Sequence, residues 1–223
     1  MRVRFVCRGS VAEELQRETE PSAEVIAGGF LSREEISYER ELKGETRFFE
    51  GVAALSKKRR AVVVFGCVTD AKGFKRKSAV VAENGKILGV SDMLNALDGE
   101  VGSGAALRVY ETGKGRMGVI VAEDLYFPEV VKTLSVCGCD FIVCPYANPI
   151  GSVESVLIRA HAFCFGVPIF LCAHGYYAAA SADGSLAFAG ADSPAEFSFS
   201  PVKEYHLVET RLRGFYRAPK KDY

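Results

Sequence analysis

Gly118-Val119-Ile120-Val121-Ala122-Glu123-Asp124-Leu125-Tyr126-Phe127-Pro128-Glu129 opens as an apolar run, passes two adjacent acids and ends on Phe-Pro-Glu. The segment from Met117 to Ala122 reads as a strand. Phe127-Pro128-Glu129 reads as a helix start, because proline fits the first turn, where its missing N–H is not needed, and an acid there favours the helix dipole. Helical spacing continues to Val136, and Gly138 then leads into an apolar strand, Phe141 to Cys144. Val153 to Phe165 followed by Val167 to Ala173 repeats the pattern. These are strand–helix–strand units.

Outward from this segment, short β-rich runs alternate with helical stretches over the whole chain. Strands are predicted at Val3 to Cys7, Glu24 to Ala27, Ala61 to Cys67, Ser78 to Ala82, Lys86 to Gly89, around Leu186 and from Tyr205 to Thr210. Asn84-Gly85 and Asp183-Gly184 each read as a two-residue hairpin turn, so antiparallel pairs accompany the parallel units. Helices are predicted at Val11 to Glu18 and Arg47 to Lys57. The expectation is an α/β protein with helices outside two mixed sheets, in one domain spanning residues 1–223. No internal repeat, linker or low-complexity segment is visible.

Composition sets the function classes. With 223 residues, 48% of them hydrophobic, the chain can bury a sizeable core. Lys+Arg and Asp+Glu number 28 each, so no long-range field draws it to nucleic acid or an anionic membrane. The N-terminal Met-Arg-Val-Arg-Phe-Val-Cys alternates like a strand and lacks a signal peptide's apolar core; no apolar run reaches the ~20 residues of a bilayer-spanning helix. A soluble, cytoplasmic protein is expected. Seven cysteines, several inside apolar runs (Cys67, Cys144, Cys172), suit a reducing compartment. Neither Cys137-Gly-Cys139 nor His161, His174 and His206 has metal-ligand spacing, so no metal or other cofactor is expected. The basic clusters Lys57 to Arg60 and Lys75 to Lys77 read as solvated charge at helix ends and loops.

The opening segment resembles the most recognisable stretch of the carbon-nitrogen hydrolase (nitrilase) superfamily, Gly-Val-x-x-Cys-x-Asp-x-x-Phe-Pro-Glu, with Ala122 where the family has cysteine. Four further segments are similar in the same order. They are Phe65-Gly66 with Ser78 to Val81 and Asn84 to Gly89; Gly138 to Pro145; Arg159-Ala160-His161-Ala162; and Val167 to Phe170. The resemblance runs nearly end to end and implies a four-layer α-β-β-α sandwich.

It also implies a chemistry. The family breaks amide or nitrile bonds with a cysteine thiolate, a glutamate that shuttles the proton and a lysine that stabilises the oxyanion. Matched onto this chain, the cysteine falls on Ala122, the lysine on Met93 and the glutamate on Gly29 or Phe30. No lysine lies between Ile87 and Ala106. A further family glutamate falls on Cys164. Removing one member of a buried ionic group strands its partner's charge, whereas replacing the whole group by apolar residues can be neutral, so joint loss is coherent. The expected site is a cleft floored by Phe30, Met93 and Ala122, with Glu123 beside it and Tyr146, Asn148 and His174 at the rim. Such a cleft binds a small molecule without reacting.

The first reading is therefore a non-catalytic binding or regulatory homologue, assembling as a homodimer or higher homo-oligomer, as the resemblance implies. The alternative is an active hydrolase with Cys67 or Cys144 as a relocated nucleophile and Glu123, Asp124 or His174 as base. Asp124, by the resemblance, is structural and helps to fix the turn.

Overall fold

The computed structural model describes residues 1–18, 22–97, 99–200 and 202, with the backbone alone at 32–34. In chain order the elements are β1 (Arg2–Val6), α1 (Val11–Gln16), β2 (Val25–Ser37), α2 (Tyr38–Leu42), α3 (Phe48–Arg59), β3 (Val62–Ala71), β4 (Phe74–Glu83) and β5 (Lys86–Asp92). They are followed by β6 (Val109–Thr112), β7 (Gly115–Val119), a 3-10 turn (Ala122–Tyr126), α4 (Pro128–Val136), β8 (Phe141–Pro145), α5 (Ser152–Phe165), β9 (Ile169–Ala173), β10 (Tyr176–Ala180), β11 (Leu186–Gly190) and β12 (Ala195–Ser198).

Two six-stranded sheets result, ordered β12-β1-β2-β3-β4-β5 and β11-β10-β9-β8-β7-β6. In each, three central strands run parallel (β1-β2-β3 and β7-β8-β9) and the flanking strands pair antiparallel. The mixture follows from the connections: helical crossovers give parallel neighbours and tight turns give antiparallel ones. Asn84 and Gly85 both take positive φ, 51° and 80°, and close the β4–β5 hairpin as expected.

Alternation along the strands sorts side chains into three apolar layers. Val3, Phe5, Val62, Val64, Ala79 and Val81 from the first sheet meet Val119, Phe141, Val143 and Phe170 from the second, and this cluster lies between the sheets. Val63, Phe65 and Val80 face outward against Val52 and Leu55 of α3 and Val11 of α1. Ile142, Ile169 and Leu171 face Val131 and Leu134 of α4 and Ile158 and Ala162 of α5. The order of layers is therefore helix, sheet, sheet, helix, the sandwich that the resemblance implies.

Several expectations need correction. β2 runs on to Ser37, far beyond Ala27, because register shifts after Gly28 and Phe30 let it bend and keep pairing with β3. β7 stops at Val119, and Ala122 begins the 3-10 turn. The β10–β11 connection is not a two-residue turn of Asp183-Gly184: Ser181 N–H bonds the Ser185 carbonyl at 2.9 Å across three residues, with positive φ at Gly184. β6, β10, β12 and α2 were not anticipated; β10 is largely alanine and the others are only four or five residues long. Tyr205 to Thr210, with His206, lies outside the described residues. Neither basic cluster is merely solvated. Arg59 donates to the carbonyls of Glu14 (3.0 Å) and Arg17 (2.9 Å), and Lys75 pairs with Glu35 at 2.6 Å.

Candidate functional site

Ala122 follows the C-terminal end of β7 with φ 50°, a left-handed backbone that an L-residue with a Cβ adopts at a cost of ~1–2 kcal/mol. The turn is held there by its neighbours. Asp124 accepts from the amides of Leu94 (2.8 Å) and Asn95 (2.9 Å) and from the Asn95 side chain (2.8 Å), tying the turn to the segment after β5. Burial raises the Asp124 pKa, against the lowering effect of these donors. His161 on α5 places Nε2 2.9 Å from the Leu125 carbonyl, and burial lowers its pKa. Strain held by surrounding structure is a mark of functional turns, and here it persists at an alanine.

The three expected floor residues all lie buried in the core between the sheets. Ala122, Met93 and Phe30 belong to the inter-sheet cluster and expose 0%, 1% and 9% of their surface. Phe30 lays its ring over Gly66, where any Cβ would collide with it, and a Cβ on Gly29 would sit 2.9 Å from the backbone of Ala173 in the opposite sheet. Position 29 thus has no space for a carboxylate side chain.

A charged pair stands at the turn. Lys77 Nζ lies 2.6 Å from Glu123 Oε1, and Asn148 Nδ2 donates to the same oxygen at 2.7 Å. Both charged side chains are largely buried, and Glu123 Oε2 is buried with no hydrogen-bond partner among the described residues. Lys77 is the cross-strand neighbour of Met93, whose amide bonds the Lys77 carbonyl at 2.8 Å. A cation thus reaches the turn from β4, one strand away from the position at which the family's lysine falls. Sequence reasoning missed it by treating Lys75 to Lys77 as a solvated loop. The signal was present: Ala79 and Val81 point between the sheets, and a period of two sends Lys77 the same way.

The remaining candidates scatter. Tyr146 lies in the outer cluster under α4 and α5, not at a rim. Its hydroxyl donates to Glu154 Oε1 at 3.0 Å; the Tyr126 hydroxyl donates to the same oxygen, while Glu154 Oε2 accepts from the Gly151 amide at 2.7 Å. Burial alone would raise the Glu154 pKa, but these donors carry it below the ordinary value. Burial, together with its bonds to Tyr126 and Glu154, pushes the Tyr146 hydroxyl up. His174 is exposed in the β9–β10 turn. Cys67 and Cys144 belong to the two outer clusters, under the helices, and burial pushes both thiols far up, with Asp92 near the first and Asp124 near the second adding to it. Among the described residues, no three His, Cys, Asp or Glu side chains group to hold a metal ion, and no helix is long and apolar enough to cross a membrane.

Comparison with known proteins bears on the fold. No family profile matches the chain. A probable nitrilase of Schizosaccharomyces pombe is 25% identical over 157 residues, covering 66% of this chain and 57% of the yeast protein, so the chain spans little more than half of that relative's length. Among solved structures, a cysteine-to-alanine mutant of the Nesterenkonia AN1 amidase, described as from the nitrilase superfamily, superposes with a TM-score of 0.78 at 14% identity, over 97% of this chain and 96% of that one. The carbon-nitrogen hydrolase of Helicobacter pylori G27 does so at 0.71 and 17% identity, over 100% and 96%. Two mixed sheets between helix layers, a held turn after β7 and these superpositions lead to one conclusion: the chain has the carbon-nitrogen hydrolase fold of the nitrilase superfamily.

Proposed function

We propose that this protein is a non-hydrolytic member of the superfamily, a binding or regulatory homologue of its amidases and nitrilases. One observation carries the reading: the residue on the strained turn is Ala122, whose methyl has no lone pair with which to attack a substrate carbon. Its neighbours agree. Met93 supplies no charge, Gly29 and Phe30 supply no carboxylate, and the floor is packed. A cysteine-to-alanine change by itself would leave a lysine at 93 and an acid at 29 or 30, and neither is there.

A second reading, carbon–nitrogen hydrolysis with Cys67 or Cys144 as nucleophile, draws on Lys77 and Glu123, which bring an ammonium and a carboxylate to the turn. These two groups neutralise one another, however, and both thiols face the helix layers in their protonated form. The proposal extends to the assembly and its setting. Val153, Val156 and Phe163 expose more than half of their surface along one face of α5, a stripe suited to a second copy of the chain. Seven free cysteines suit the cytoplasm.

The test is incubation with a panel of amides, nitriles and carbamoyl compounds, followed for released ammonia and, by intact-mass spectrometry, for acyl adducts. No turnover and no adduct are expected, and iodoacetamide should label neither Cys67 nor Cys144 rapidly at neutral pH. A stoichiometric adduct on either thiol would establish the second reading.

A further inference from the structure

Four strands stand at the sheet edges among the described residues: β12 and β5 in the first sheet, β11 and β6 in the second. An edge strand leaves a row of backbone N–H and C=O groups open to another strand, and charged side chains are a common means of blocking it. β5 carries Lys86 and Asp92, β6 carries Glu111 and β12 carries Glu196. β11, Leu186-Ala187-Phe188-Ala189-Gly190, carries no charge, and the uncharged run extends from Gly184 to Ala191. Leu186, Ala187 and Ala189 are exposed, and among the described residues no strand pairs with the outer side of β11. Phe188 points between the sheets, stacked on Tyr177 at 5.2 Å and on Phe197 at 4.7 Å.

The strand is also complementary to itself. Antiparallel pairing about a two-fold axis at Phe188 sets Ala187 against Ala189 of a second copy, Leu186 against Gly190, and Phe188 against its own counterpart as a cross-strand aromatic pair. Carried past the strand ends, the same register brings Asp192 to Gly184 of the second copy, while Asp183 falls opposite the uncharged Ser193. Gly184 is where Arg159 is anchored, its Nε donating to the Gly184 carbonyl at 2.9 Å. Arg159 and Asp192 are both exposed, and neither has an ion pair among the described residues.

We infer that two copies of this chain associate through β11, edge to edge and antiparallel about a two-fold at Phe188, with Arg159 of each copy against Asp192 of the other. The inference rests on the homo-oligomeric reading and names its contact: Gly184 lies against the Phe163 Cβ, so the α5 stripe leads to this edge. A five-residue strand offers a small contact, and the association is therefore reversible and concentration-dependent.

The purified chain is followed by sedimentation velocity over a wide range of concentration. The wild type should shift from one chain to two as concentration rises. Ala187→Lys charges an exposed edge position, so the fold is kept, which circular dichroism checks, and the dimer should be lost. Adding Ala189→Glu should restore it, because each introduced lysine then faces the introduced glutamate of the second copy. Arg159→Asp should weaken the dimer about tenfold, the worth of two exposed ion pairs, and the further change Asp192→Arg should recover it. An unchanged dimer in Ala187→Lys or in Arg159→Asp, or a charge-paired variant that stays monomeric, overturns the inference. If Val156→Glu dissociates that unchanged dimer, the α5 stripe alone is the contact and the homo-oligomeric reading stands without β11. A wild type that remains one chain at every concentration, as when another part of this chain pairs with β11, overturns both.

Discussion

At the scale of single residues, the turn sets a strained alanine against a buried ion pair. Lys77→Met leaves the Glu123 carboxylate buried without its cation, and the expected loss is about 3–5 kcal/mol by urea denaturation. The double change Lys77→Met with Glu123→Leu should recover most of that, because the cost lies in the stranded charge. If both singles and the double lose the same amount, packing and not charge governs the site. Ala122→Gly tests the strain. It relieves ~1–2 kcal/mol of left-handed backbone cost and loses one buried methyl, ~0.8 kcal/mol, with added chain entropy of ~0.5–1 kcal/mol. Stability should move by less than ~1 kcal/mol, whereas Ala162→Gly, buried in the last turn of α5, has the same losses with no relief. Equal destabilisation of the two variants would show that the backbone at 122 is unstrained.

At the scale of elements, the turn is fastened to the loop after β5 by Asp124 and to α5 by His161, while Tyr126, Tyr146 and Glu154 hold the start of α5 beneath it. The His161 link makes stability depend on pH with a definite sign. Its pKa in the fold is below the ordinary 6.5, so the unfolded chain takes up the proton first and stability falls as pH drops below about 6.5, until the folded pKa is passed. Asp124 has the opposite sign: burial raises its pKa above 3.8, so its cost sets in as pH rises from that value. Melting temperature followed from pH 7.5 to 5 should therefore decline, and His161→Gln should flatten the decline. An unchanged slope in that variant would move the titration elsewhere.

At the scale of the whole molecule, the two sheets are built alike. β1-α1-β2-α3-β3 and β7-α4-β8-α5-β9 are each a run of three parallel strands with helical crossovers, continued by two antiparallel strands and flanked by a third, β12 or β6. The sheets approach to backbone contact at Gly29 and Ala173. Gly29→Ala should force them apart and cost ~1–3 kcal/mol, the range of overpacking in a filled interior; calorimetry that finds no loss would show that the interface yields. The apolar stripe on α5 predicts that Val156→Glu shifts the protein to monomers in light scattering, with its circular dichroism unchanged. A wild-type monomer would leave that face without its proposed partner.

The sequence by itself determined the layer order, because the alternation of strand and helix patterns is local and each helical crossover imposes a parallel pair. It also determined the Asn84-Gly85 hairpin and the residue identities at 29, 30, 93 and 122, since these are matters of residue type at a position, whereas it carried the strand on to Ala122 where the structure turns. Tertiary structure alone decided what stands beside the turn. Lys77 meets Glu123 across 46 residues of chain, Tyr146 turns to the outer layer, and β10 and β12 form only because existing strands offer them unpaired backbone groups. The similarity of the two halves is likewise a matter of topology, invisible in side chains that pack against different neighbours. Contacts of this kind depend on where a sheet bends and how closely two faces approach, and no local pattern encodes either distance.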